Sequence, residues 1–124
     1  MQMIHTTKAP AAIGPYSQAV EVGPFLYTSG QIPLTLAGEV VAGGIEEQVA
    51  QVFANLDAIL TAANAARNQV VKATIFMTDL QEFGIVNAAC ESFFGEHKPA
   101  RSTVQVAALP RGVRVEIELI VYRG

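Results

Sequence analysis

Two side chains near the C-terminal end of this sequence, Arg101 and Glu116, are the best suited to chemistry. Arg101 opens a strand-like run inside Pro99-Ala100-Arg101-Ser102. A guanidinium is planar and always charged, so it grips a carboxylate through two parallel N–H bonds. An exposed arginine at a strand start, or a structural ion pair, is the plainer alternative. Glu116 stands between Val115 and Ile117, where strand propensity disfavours a carboxylate. Partial burial there would raise its pKa and suit it to acid–base work near neutral pH. The alternative is a solvated face shared with Arg114 and Glu118. Ser29-Gly30-Gln31 closes one strand and opens a loop, and Gly30 would let backbone N–H groups approach a ligand, unless it is an ordinary turn. Tyr16 could wall a pocket or pack in a core or interface. Asn87, beside an apolar helical stripe, is either a pocket residue or a half-buried amide. Cys90 reads as core, because nothing electropositive adjoins it in sequence.

Other chemistries are poorly represented. His5 and His97 are too far apart for a local metal motif and Cys90 has no C-x-x-C partner, so no metal site is expected. No dinucleotide fingerprint, phosphate-binding P-loop or nucleophile elbow occurs, and Gly43-Gly44 precedes a helix without the rest of a phosphate motif. Eight bases against 11 acids give a net charge of −3 with no basic run, so a nucleic-acid partner is not expected. No stretch approaches the roughly 20 apolar residues of a membrane span. A lone cysteine and a start without the apolar core of a secretory signal suit a reducing cytoplasm.

The elements that must position these groups follow from periodicity. Pro and Gly punctuate the first 40 residues, and between them residues 17–22 and 25–29 read as a hairpin turning at Gly23-Pro24. Residues 46–66 carry Val49, Val52, Phe53, Leu56, Ile59, Leu60 and Ala63 on one stripe of an amphipathic helix. Residues 69–77 form a β-branched central strand. Thr78 and Gln81 suggest a capping box for a second helix reaching about Gly95. Residues 102–109 and 113–122 read as strands flanking a turn at Pro110-Arg111-Gly112. The order is three strands, a helix, a strand, a helix and two strands, in one domain over residues 1–124. Two helices cannot cover both faces of such a sheet, so an α+β layer with one open face is expected. Hydrophobic residues reach 51% and charged residues only 15%, against about 25% charged in a typical soluble domain. The open face is therefore expected to be buried against copies of the chain.

Taken together, several segments resemble the RidA/YjgF family over essentially the whole chain. They are Ile13-Gly14-Pro15-Tyr16-Ser17-Gln18-Ala19, Thr28-Ser29-Gly30-Gln31-Ile32-Pro33, Val86-Asn87 and Pro99-Ala100-Arg101-Ser102-Thr103-Val104, followed by Leu109 and Val115-Glu116-Ile117. The resemblance implies a chorismate-mutase-like mixed sheet of about six strands with two helices on one face. It implies a homotrimer whose sheets form a central barrel with clefts between subunits. It further implies a cofactor-free, metal-free enzyme hydrolysing enamines and imines such as 2-aminoacrylate, 2-iminopropanoate and 2-iminobutanoate to 2-keto acids and ammonia. Such intermediates leak from pyridoxal-phosphate enzymes, including serine and threonine dehydratases. Carried onto this sequence, Arg101 binds the substrate carboxylate and Glu116 positions or activates water. Ser29 and Gly30 line the cleft, Tyr16 and Asn87 form parts of its wall, and Thr103 stands where many members carry a cysteine. A non-catalytic trimer sensing small 2-keto or 2-amino acids through Arg101 is the alternative.

If the last two strands form a hairpin, Arg101 and Glu116 do not meet in any regular register. An even register puts them on opposite faces. An odd one leaves them roughly 13 Å apart at about 3.3 Å per residue. A site shared between subunits, or a bulge near Arg101, is therefore expected.

Overall fold

The computed structural model describes all 124 residues. The elements run β1 (Gln2–Ile4), β2 (Ala19–Val22), β3 (Phe25–Thr28), α1 (Ile45–Ala62), β4 (Val70–Met77), α2 (Phe83–Phe94), β5 (Ala100–Gln105) and β6 (Val115–Tyr122), with short 3-10 turns between them. The strands form one mixed sheet in the order β1-β2-β3-β6-β4-β5. Both helices lie on one face, so the α+β layer expected from the sequence forms. No helix is long and apolar enough to cross a membrane.

The α1 stripe is the larger part of the core. Val49, Val52, Leu56, Ile59 and Leu60 are fully buried against alternate residues of the sheet, among them Leu26, Ile75, Ile117, Leu119 and Val121. Fully burying each such side chain is worth about 1.5–3 kcal/mol. The helix opens where Glu47 turns back to accept from the Gly44 backbone N–H at 2.7 Å. Its two first-turn acids sit where the helix dipole favours them. Buried amides tie the loops to this layer. Gln18 accepts from the Thr6 N–H at 2.7 Å and donates to the Pro10 carbonyl at 2.8 Å. Asn55 donates to the Leu34 carbonyl at 3.0 Å.

The opposite face has no helix over it. Phe25 and Tyr122 pair across β3 and β6 with ring centroids 5.2 Å apart, and Tyr27 lies 6.2 Å from Phe25. All three remain at least one-third exposed, as do Val22 and Val104. They share this face with Glu116, Glu118 and Ile120 of β6, by strand alternation and pairing.

Two expectations are corrected. The last two strands are not a hairpin: β4 lies between them, parallel to β5 and antiparallel to β6. Because β5 follows β4 through α2, the connection is long enough to return it parallel to β4. Residues 106–114 then pass around the end of β4. The Val106 N–H bonds the Met77 carbonyl at 2.8 Å and the Thr78 N–H bonds the Arg114 carbonyl at 3.2 Å. Strand β5 accordingly stops at Gln105 rather than 109. The second correction concerns the start of α2. Asp79, not Thr78, supplies the capping side chain, and it caps the 3-10 turn leading into α2, accepting from the Gln81 N–H at 2.9 Å; α2 itself starts at Phe83 without a side-chain cap. Thr78 is still paired at the sheet end through its N–H on the Arg114 carbonyl.

Candidate active site

One group of candidate residues gathers where the β3 exit runs beside β6. The Gln31 N–H donates to the Ile117 carbonyl at 2.9 Å, and the Ile117 N–H returns a bond to the Gln31 carbonyl at 3.1 Å. This pairing lays Gly30 directly against Glu116. A Cβ at Gly30 would fall 2.9 Å from Glu116 Cδ and closer still to Oε2. Only glycine leaves room for the carboxylate there. Ser29 is held by its backbone N–H on the Gln18 carbonyl at 2.9 Å and by its hydroxyl on the Ser17 carbonyl. Tyr16 precedes Ser17 and is half exposed. Burial raises the Glu116 pKa, and the like charge of Glu118, two residues on along the same face, raises it further. None of the ion pairs in the molecule involves Glu116.

A second group forms at the β5 edge. Arg101 Nη1 donates to Asn87 Oδ1 at 2.7 Å, and its guanidinium carbon stands 5.2 Å from the centre of the Phe83 ring. Cys90 is buried beside it. Burial raises the thiol pKa, and the Arg101 charge pulls it partly back. An open cavity of about 370 Å³ borders Arg101, Asn87, Cys90, Phe94, His97 and Pro99. Arg101 takes part in no ion pair. Thr103, on the same face two residues further along, has a buried hydroxyl without a hydrogen-bond partner.

These groups do not meet within one chain. Arg101 pairs with Ala73 and Ala73 with Leu119, a row lying on the helix-covered face. Glu116 pairs with Phe76 and Phe76 with Val104, a row on the open face. Three residues along β4 and two strand spacings separate their backbones, roughly 14 Å at about 3.3 and 4.8 Å per step. The β4–β5 register is continuous from Lys72 and Ala100 to Met77 and Gln105, so no bulge redirects Arg101. The bulge in the sheet lies instead between Val70 and Lys72, on the β4–β6 side.

The family model described as Endoribonuclease L-PSP matches residues 6–123. The chain belongs to this family, RidA/YjgF. Among its relatives is the mouse 2-iminobutanoate/2-iminopropanoate deaminase, 51% identical over 99% of this chain and 92% of the mouse protein. Among solved structures, RidA from an Antarctic Psychrobacter species superposes with a TM-score of 0.94 at 47% identity, over 98% of this chain and 99% of that one. Escherichia coli TdcF with bound serine gives 0.94 at 42% identity, covering all of both chains. The RidA fold and the observed sheet agree.

Cys90 is core, as the sequence indicates; sequence reasoning missed Phe83 as a neighbour of Arg101 and missed that the Arg101 charge, remote in sequence, lies beside Cys90. A signal was present: Phe83, Asn87 and Cys90 follow i, i+4, i+7 spacing and share one side of α2. It also missed Gln31, whose bridge to Ile117 sets Gly30 against Glu116.

Proposed function

We propose that this chain is a hydrolytic deaminase of 2-imino acids and their enamine tautomers, releasing 2-keto acids and ammonia. In this reading it works as a homotrimer, with each cleft shared by two subunits. The observation that carries the reading is that Arg101 and Glu116, neither in an ion pair, lie on opposite faces of one sheet, which supports a cleft that takes one group from each of two subunits. The open face, with Phe25, Tyr27 and Tyr122 exposed, supports burial against a second copy. The full-length similarity to the mouse deaminase supports the reaction, and the serine held by TdcF supports a small carboxylate-bearing ligand.

The chemistry asks little of the protein. Arg101 holds the carboxylate, with Tyr16, Ser29 and Thr103 shaping the cleft. Glu116 takes a proton from water as its oxygen bonds to the imine carbon. That proton passes to the nitrogen to give a carbinolamine; Glu116 then takes the new hydroxyl proton and delivers it to the nitrogen as the C–N bond breaks and C=O forms, so ammonia leaves with a 2-keto acid behind. A carboxylate whose pKa is raised toward neutrality is a better proton carrier for this step than an ordinary one. Orientation by the carboxylate clamp supplies much of the remaining acceleration. A nuclease reading is less well supported, since a phosphate backbone at this face would meet Glu116 and Glu118 in a protein of net charge −3. A cytoplasmic setting, where the leaking intermediates arise, fits this role and the single cysteine.

The test is keto-acid release from 2-aminoacrylate generated by a serine dehydratase. Arg101→Ala should abolish the acceleration with the fold intact, and Arg101→Lys should recover little, because a point charge cannot replace the planar fork. Unchanged hydrolysis by a folded Arg101→Ala protein would refute the assignment. If Glu116→Ala binds 2-ketobutyrate normally and the wild type hydrolyses nothing, the chain is a binding protein instead.

A further inference from the structure

We infer that α2 is a cradle that presets the Arg101 guanidinium, so that Phe83, Asn87 and Cys90 are positioning residues rather than walls touching substrate. The inference rests on the carboxylate-binding role proposed for Arg101 and extends it to the residues behind that arginine. Strand β5 lies at the sheet edge, and Arg101 itself is exposed. A free arginine in such a place has many rotamers, each of which must be given up when a ligand binds. Here three residues spaced along one side of α2 restrict it. The Arg101 guanidinium carbon lies over the Phe83 ring, 5.2 Å from its centre. Asn87 accepts from Nη1 at 2.7 Å. Cys90 is buried close enough for the Arg101 charge to act on its thiol.

The division of donors is the decisive point. A guanidinium has five N–H groups, and a bidentate grip needs two parallel ones on a single edge. Asn87 takes one of the two N–H groups of Nη1 and the Cys90 thiol lies against the guanidinium, which leaves other N–H groups of the fork for a carboxylate. Asn87 is neutral, so it orients the cation without neutralising it. Any acid at position 87 would compete with the substrate for the same charge. The helix end is also tied down: Gly95 closes α2 by its N–H on the Glu91 carbonyl at 2.9 Å, and His97 Nε2 bonds the Val70 carbonyl at 2.6 Å. The cradle is thus anchored to β4, the strand that also sets the register of Arg101 through Ala73.

A double-mutant cycle tests this, read by calorimetric binding of 2-ketobutyrate and by KM and kcat for 2-iminopropanoate. Asn87→Ala should weaken binding and raise KM by about tenfold, the cost of ordering one long side chain, with kcat nearly unchanged. Asn87→Asp should weaken binding by at least about thirtyfold, because its carboxylate takes the guanidinium. In an Arg101→Ala background, where the readout is the residual calorimetric binding of 2-ketobutyrate at high concentration, Asn87→Ala should have no further effect. Equal effects of Asn87→Ala in both backgrounds would mean that Asn87 touches the ligand directly, and would overturn the cradle. Phe83→Leu, which keeps the core filled, should give a smaller KM increase that also vanishes without Arg101, and persistence of that increase counts against the inference. If Arg101→Ala leaves 2-ketobutyrate binding intact, the carboxylate-binding role fails first and the cradle with it.

Discussion

The two halves of the candidate site are built by opposite means. Arg101 stands exposed on an edge strand, and side chains of a helix hold it. Glu116 sits in the interior strand β6, pressed on the backbone at Gly30, and nothing cationic pairs with it. The difference fits the roles proposed for the two groups. A cation that grips a carboxylate must keep its charge and a free edge, so it is left in water and steadied by neutral partners. A carboxylate that passes protons must hold its charge less firmly, so it is partly buried, set near a second acid and denied a cation. Within one chain the two lie on opposite faces, so a site using both spans a subunit boundary.

The largest expected effect breaks that comparison outright. Arg101→Ala and Glu116→Ala chains should each be nearly inactive alone. Mixed under conditions of proven subunit exchange, they should recover activity, approaching about a quarter of wild type if each cleft takes one half from each neighbour in a head-to-tail ring. No recovery despite exchange would mean that one chain supplies both groups.

A smaller effect is expected from altering only the glutamate half. Gly30→Ala places a methyl group on the Glu116 carboxylate and forces it aside. The turnover number should fall by roughly ten- to a hundredfold, since displacements near 1 Å can cost that much, while 2-ketobutyrate affinity at the arginine half stays close to normal. Equal losses in both measurements would show that the halves are not separable.

Proton affinity gives a finer test. Glu118→Gln removes the like charge that helps hold the Glu116 pKa up, so the acid limb of the pH–rate profile should move to lower pH. A limb that stays in place would assign the titration to another group. The stability consequence has a definite sign. Folded Glu116 binds its proton more tightly than the unfolded chain does, so its contribution to stability falls as pH rises from the ordinary carboxylate pKa through the raised folded one. Glu116→Gln should flatten that fall in urea titrations at several pH values while abolishing turnover.

The smallest expected effect lies beside Arg101. The Thr103 hydroxyl is buried without a partner, so Thr103→Val should stabilise the fold by about 1 kcal/mol, visible as a higher denaturation midpoint. A lower midpoint would mean that the hydroxyl has a partner in the assembled protein.

Much of this was legible in the residues themselves. The helical stripe from Val49 to Leu60 and the alternation of Val115, Ile117, Leu119 and Val121 mark buried faces by local periodicity alone, and both elements form where that pattern puts them. Arg101, Glu116, Gly30 and Asn87 stood out through residue type and neighbours. What could not be read locally was which strands are partners. The turn chemistry of Pro110-Arg111-Gly112 fits a hairpin, and the turn does form. Yet β4 lies between the strands it joins, because α2 returns β5 parallel to β4 and leaves the other side of β4 to β6. That single long-range choice put Arg101 and Glu116 on opposite faces, set Arg101 against Phe83, Asn87 and Cys90, and brought Gly30 onto Glu116. Periodicity records which side of a strand is apolar, a property of a few adjacent residues. Strand order and contacts across the sheet depend on how the whole layer packs, and only the tertiary structure decides them.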